Sequence, residues 1–172
     1  MKHLLIHTSA ILYKNTAILF LGPNQGGKST TARNAVNSKI SLHCDDLGEL
    51  IISETHIKIQ DYLKKNKAGN FYPIVCGFIL KKSNSIECEE IPKLKRYIYM
   101  SRAVFECPLN RRKSIDERKK MFQIATKIAR RIPLYTLKLQ KNSRFVTKIL
   151  EIVDKILSLD RPQSDAKIIE SR

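Results

Sequence analysis

Thr16-Ala17-Ile18-Leu19-Phe20-Leu21-Gly22-Pro23-Asn24-Gln25-Gly26-Gly27-Lys28-Ser29 is the stretch on which the fold turns. An apolar, β-branched run leads into a segment of the form G-x-x-x-x-G-K-[ST], and the residues from Lys28 to about Ser38 suit a helix. Strand, glycine loop and helix in that order build an anion cradle. Glycines let backbone N–H groups wrap a phosphate, and the helix N-terminus adds partial positive charge. Lys28 is placed to neutralise β- and γ-phosphates and the Ser29 hydroxyl to ligate Mg²⁺. Gly22, Pro23, Asn24, Gln25, Gly26, Gly27, Lys28, Ser29 and Thr30 are therefore the expected nucleotide-binding residues, with ATP, GTP or another phosphate donor left open.

Working outward, His3 to Tyr13 and Thr16 to Leu21 read as two strands joined at Lys14-Asn15 in a hairpin. If the turn centres between those two residues, paired positions sum to 29, which sets His7 opposite Gly22 at the loop mouth. Downstream, Ile40 to Cys44 reads as a strand that ends at Asp45-Asp46. A helix of about 10 residues carries the chain roughly 15 Å from the loop, and a strand of about 6 residues brings it back by roughly 20 Å. Both carboxylates thus return to the phosphate site. One suits the metal, and the other suits the proton of an attacking hydroxyl.

The remaining chain predicts a strand-like Glu49 to Ile59, a loop from Asp61 to Asn70, and strands over Phe71 to Leu80 and Ser85 to Ile91. Pro92 opens a helix whose buried side is expected to be Leu94, Ile98, Ala103 and Phe105. Ser114 and Glu117 form a capping-box pattern ahead of a helix with Ile115, Phe122, Ala125, Ala129 and Ile132 at helical spacing, stopped by Pro133. Leu134 to Gln140 alternates as a strand. Asn142 is the expected cap of a last helix presenting Phe145, Ile149, Val153 and Ile156. Residues 160–172 read as a loose tail after a phosphate-loop domain over 1–159. The fold class is α/β: one domain, a mixed sheet with the loop at its strand ends, and C-terminal helices packed on it.

Composition sets outer limits. The 172 residues suffice for one hydrophobic core without disulfides or structural metal. Hydrophobic residues make up 42% of the chain, yet no apolar run approaches the roughly 20 residues that cross a bilayer, so no membrane partner is expected. The N-terminal residues lack a signal-peptide cleavage site and read as a strand. Cys44, Cys76, Cys88 and Cys107 form no Cys-x-x-Cys pair, which points to reduced thiols in the cytoplasm. The net charge of +16 draws polyanions of any kind, and base composition of the gene explains it equally well. Aromatic residues are 7% and Trp is absent, leaving no base-stacking platform for nucleic acid. Arg102, Arg111 and Arg112 are candidates to clamp an acidic group, and the runs Lys81-Lys82 and Arg111-Arg112-Lys113 suit solvated turns.

With His7, the loop Gly22 to Ser29, its helix and the strand-ending Asp45-Asp46 assembled, the N-terminal half resembles the catalytic domain of HPr kinase/phosphorylase and its small relatives, a branch of the phosphoenolpyruvate-carboxykinase-like nucleotide-binding folds. His7 precedes Gly22 by 15 positions and Asp46 follows Ser29 by 17, spacings that match the family. The resemblance covers about Leu4 to Leu47, and more weakly Arg131 to Leu137. It implies that Lys28 binds phosphate, that Ser29 and Asp45 serve Mg²⁺, that Asp46 is the general base toward a serine hydroxyl, and that His7 assists. Gln25 departs from the pattern, standing where the family has a glycine, with Gly26 as the expected source of backbone freedom. The family's second metal-binding glutamate has no clear counterpart; Glu49 and Glu54 are the nearby candidates. No regulatory domain precedes the histidine strand, so HPr is not the expected acceptor. The resulting expectation is an ATP- and Mg²⁺-dependent kinase acting on a hydroxyl, serine of a peptide, protein or small molecule, with oligomeric state open. A nucleotide-binding accessory module without transfer activity and a nucleic-acid-associated ATPase are the alternatives.

Overall fold

The computed structural model describes residues 2–64, 70–139 and 145–159. Its strands are β1 (Lys2–His7), β2 (Ser9–Tyr13), β3 (Thr16–Leu21), β4 (Ser41–Cys44), β5 (Leu47–Ile52), β6 (Ile57–Asp61), β7 (Tyr72–Lys82), β8 (Glu87–Glu90) and β9 (Leu134–Leu139). The helices are α1 (Lys28–Ala35), α2 (Lys93–Phe105), α3 (Ile115–Arg131) and α4 (Phe145–Leu159), with a short 3₁₀ turn at Pro108–Asn110. All nine strands join one mixed sheet in the order β1-β5-β6-β7-β3-β2-β4, and β9 adds beside β7 and carries β8. β3 and β9 run parallel to β7, whereas the remaining pairs are antiparallel. The expected mixed α/β architecture is what forms.

β3 explains why its sequence is uniformly apolar. Ala17, Leu19 and Leu21 face one core cluster together with Met100, Val104, Ala125 and Ile128 of α2 and α3. Ile18 and Phe20 face the other with Ala32, Ala35, Ile149 and Val153 of α1 and α4. A strand buried on both faces loses the polar alternation of an exposed one. The helices thus cover both sides of the sheet, and the loop after β3 emerges between the two layers.

Several expectations change. His3 to Tyr13 is two strands, because the chain switches partner at the fully buried Thr8. β2 keeps the predicted hairpin register with β3, Ser9 opposite Phe20, across Lys14 and Asn15, whose φ values of 48 and 59° make the left-handed turn that a two-residue hairpin needs. β1 pairs instead with β5, setting His7 opposite Leu47 rather than Gly22. Thr8 stabilises the switch: its Oγ1 donates to the carbonyl of Phe20 at 2.9 Å and its N–H to the carbonyl of Asp46 at 3.2 Å. Glu49 to Ile59 is likewise a hairpin, β5 and β6, closed by the Ser53 N–H donating to the His56 carbonyl. α1 stops at Ala35, earlier than Ser38, and Asn37 bridges to Ile40 before β4.

The buried side of α2 is only partly the one expected: Ala103 is buried and Phe105 half-buried, but Leu94 and Ile98 are not. Arg96, Met100, Ala103 and Val104 face the sheet, while Leu94 and Ile98 are 78% and 59% exposed. In α3, Ala125, Ala129 and the following Ile132 are buried as expected, but Ile115 and Phe122 stand out at 74% and 51% exposure. The capping box is present, with Ser114 and Glu117 each accepting from the other's backbone N–H. In α4, Ile149 and Val153 are fully buried and Phe145 and Ile156 pack beside them. Lys81 and Lys82 lie on the exposed end of β7, not in a turn, whereas Arg111-Arg112-Lys113 do form an exposed turn. The Asn142 cap and the tail 160–172 lie outside the described residues, as does part of the Asp61 to Asn70 loop.

Candidate active site

The loop takes its shape from four backbone facts. Gly22 at φ 141° and Gly27 at φ 84° occupy conformations that side chains resist. Gln25 also adopts a left-handed φ of 60°, so the residue standing where the resemblance leads one to expect glycine takes a glycine-like conformation itself. Gly26 does not supply the missing freedom. Its contribution is closeness, because a Cβ there would lie 2.9 Å from the carbonyl oxygen of Pro23, to which the Gly26 N–H donates. Gly27 caps α1 with no side chain bonding to the helix start and no acid in the first turn. α3, by contrast, spends a serine and a glutamate on its first amides. An uncapped helix start beneath a glycine turn suits an anion.

Lys28 is buried, and its Nζ donates to the carbonyls of Gly22 and Pro23 at 3.0 and 2.8 Å. Burial lowers its pKa, opposed by the nearby charges of Glu106 and then Asp46. Those opposing charges show which acids share the space around the loop. Asp46 was expected there; Glu106 was not.

Asp45 accepts from Ser9 Oγ at 3.0 Å and from Arg33 Nη2 at 2.6 Å, and Ser9 Oγ lies 3.4 Å from Ser29 Oγ. Burial pushes the Asp45 carboxyl upward, but hydrogen bonds from Ser29, Arg33 and Ser9 outweigh it and hold the group below the usual carboxylate range. Asp45 and Ser29 are thus side by side and charged and neutral oxygen donors respectively, a pair suited to a hard cation. Among the described residues there is no cluster of three or more His, Cys, Asp or Glu side chains able to hold a metal.

Asp46 sits at φ 80° with its side chain 73% exposed, tied by Oδ1 to His7 Nε2 at 2.8 Å. His7 is buried, and its Nδ1 has no hydrogen-bond partner. A carboxylate accepts, so His7 donates through Nε2 to Asp46. His7 therefore reaches Asp46 by way of β1 and β5 rather than by facing Gly22.

Ser9, Arg33 and Glu106 escaped the sequence reading. Ser9 follows from the hairpin register, which places it opposite Phe20 one step from the loop, and Arg33 lies one helical turn after Ser29 on the same face. Glu106 has no such local signal, coming from the far end of α2. Of the glutamates considered, Glu49 is buried on β5 with Gln60 and His3 as partners, and Glu54 is exposed in the β5–β6 turn. Arg102 pairs with Glu106 at 3.4 Å, while Arg111 and Arg112 are exposed.

Residues 1–158 match the family model described as SynChlorMet cassette protein ScmC. The chain belongs to the ScmC family. A comparison of the ScmC-family chain with curated proteins gives no match. Among solved structures it is similar to the HPr(Ser) kinase/phosphatase from Coxiella burnetii, at 12% identity and a TM-score of 0.47 over 90% of each chain. No helix among the described residues is long and apolar enough to cross a membrane.

Proposed function

We propose that this protein is an ATP- and Mg²⁺-dependent phosphotransferase that acts on a hydroxyl, serine in a peptide, protein or small molecule. The observation that carries the reading is the convergence on one uncapped helix start of Lys28, the Ser29–Ser9–Asp45 oxygen cluster and the Asp46–His7 pair. The backbone of Gly22 to Thr30 and the Lys28 ammonium bind phosphate, and on doing so Lys28 exchanges two loop carbonyls for anionic oxygens. Ser29 and Asp45 would hold Mg²⁺, which when bound neutralises charge developing on the phosphate oxygens.

Asp46 is the exposed acid and stands where an entering acceptor can meet it. It takes the proton as the acceptor oxygen bonds to the γ-phosphorus and the bond to the nucleoside diphosphate breaks. His7 orients that carboxylate from the buried side. The spacing of His7, the loop and Asp46, which resembles that of HPr kinase-like proteins, supports the same assignment.

One feature favours a second reading, a nucleotide-binding module without transfer. Arg33 already pairs with Asp45, so a metal must share or displace that partner. Thermal shift with ATP, with and without Mg²⁺, followed by labelled-phosphate transfer to serine-containing peptides and free serine, separates the two. Stabilisation by ATP that Lys28→Ala abolishes, together with label on an acceptor, is the expected result. Stabilisation with no transfer to any acceptor supports the module, and its absence at all nucleotide concentrations sinks both.

A further inference from the structure

Two shallow depressions lie between α2 and α3 and share Phe105 and Phe122 as a common ridge. Tyr97, Ile98 and Ser101 line the first, and Ile115 lines the second. Helical spacing accounts for the continuity, since Ile98 and Phe105 lie two turns apart on α2, as do Ile115 and Phe122 on α3. The opposite faces of both helices are already packed on the sheet, and Ile98, Ile115 and Phe122 stay exposed, outside the core. Single exposed apolar residues are ordinary, whereas a contiguous strip marks a surface that binds. The floor holds a further sign: Ser101 is buried and its Oγ has no hydrogen-bond partner.

Charge decides what binds. Arg102, Arg118 and Lys119 rim the strip, and the stretch from Lys93 to Arg131 carries thirteen lysines and arginines against three acidic residues. A second copy of this chain would bring the same cations against themselves, which disfavours a symmetric dimer here. Position decides why it binds. Glu106 lines one end of the strip and is also the charge that acts most strongly on Lys28. Before it, Met100 and Val104 of α2 pack in one cluster with Leu19 and Leu21 of β3, the strand that leads into the loop. The strip therefore leads from the candidate site outward along α2 and α3.

We infer that the α2–α3 strip is the docking groove for the acceptor, a peptide segment with apolar side chains spaced to meet Ile98, Phe105, Phe122 and Ile115 and with carboxylates flanking them to meet the cationic rim. The identity of the bound segment as acceptor rests on the transfer reading above; the binding itself does not. Docking away from the reacting hydroxyl raises the local concentration of a flexible acceptor at Asp46 and makes recognition independent of the residues around the serine.

The test uses the full chain and three fluorescein-labelled synthetic peptides of equal length. One has Leu and Phe at helical spacing among Glu and Asp, one keeps its charge with serine at every apolar position, and one has lysine at every acidic position. Anisotropy should show the first binding at least tenfold more tightly than either control. Ile98→Asp and Phe122→Asp, both at exposed positions, should remove that preference while thermal stabilisation by ATP stays intact. Equal binding of the first two peptides, or unchanged binding by both variants, overturns the groove. So does sedimentation showing a dimer that Phe122→Asp dissolves, or retention on anionic phospholipid vesicles that the same variant abolishes in the absence of peptide preference. Loss of ATP stabilisation in the unmodified chain with peptide preference retained would strike the kinase reading and leave the groove standing.

Discussion

Asp46 and His7 carry the most specific residue-level consequence. An exposed carboxylate held from behind by a buried histidine has a fixed orientation, which suits the proposed role of proton acceptor. Asp46→Asn should lower kcat by about 10²–10⁴-fold, the usual contribution of a general base, while ATP stabilisation changes little, and a variant with full turnover would remove Asp46 from that role. Gln25 makes a second case. Its left-handed φ costs a side-chain-bearing residue about 1–2 kcal/mol, partly offset by the extra chain entropy of glycine, so Gln25→Gly should raise unfolding stability by about 0.5–1 kcal/mol in denaturant titration. The acidic pair was legible in the sequence because strand and helix lengths fix where a short β-α-β path returns. The position of His7 was not, since a buried threonine that redirects the chain has no periodic signature. Glu106 was invisible for a related reason: only packing of α2 beside the loop brings it near Lys28.

At the scale of elements, β3 was readable from its apolar run and the β2–β3 hairpin from the Lys14-Asn15 turn, whereas the breaks between β1 and β2 and between β5 and β6 were not. Helix faces were harder. In α2, apolar residues occur on both sides, and the choice between Leu94 with Ile98 and Met100 with Val104 depends on which side meets the sheet, a fact no single helix contains. The α3 capping box was legible because it is local chemistry between residues three apart. Ser114→Ala removes the side-chain acceptor for the Glu117 N–H and should cost about 1 kcal/mol of stability, measured by chemical denaturation, with no effect on nucleotide binding because the cap is exposed and the loop lies elsewhere. A cost below a few tenths would mean that the first turn of α3 frays without penalty. The start of α1 makes the contrast, having no such cap to lose.

For the molecule as a whole, acid is the revealing variable. Asp45 and Glu117 both have folded-state values below their ordinary ones of 3.8 and 4.5, Glu117 falling to about 2 through hydrogen bonds from Lys113 and Ser114. A carboxyl with a depressed folded value contributes stability that is complete above its unfolded value and disappears as pH falls through the folded one. Melting temperature should therefore hold down to about pH 4.5 and decline toward pH 2 from these groups, as read by circular dichroism across that range. Asp45→Asn should flatten part of this decline, and an acid limb unchanged by the variant would show that the Ser9–Arg33 contacts carry no weight. The thiols behave differently. Burial raises the values of Cys44, Cys76 and Cys107 and pushes Cys88 up to about 11, so none should react quickly with a thiol reagent at neutral pH until the fold is opened.

The change of partner at Thr8 has a mechanical reading. Ser9, just after it, grips Asp45 from the β2 side, and His7, just before it, grips Asp46 from the β1 side. Neighbours in the chain, the two acids are anchored to opposite banks of a seam in the sheet. Their spacing is consequently tied to the relative position of those banks, so that sliding one past the other changes the gap between Asp45 and Asp46.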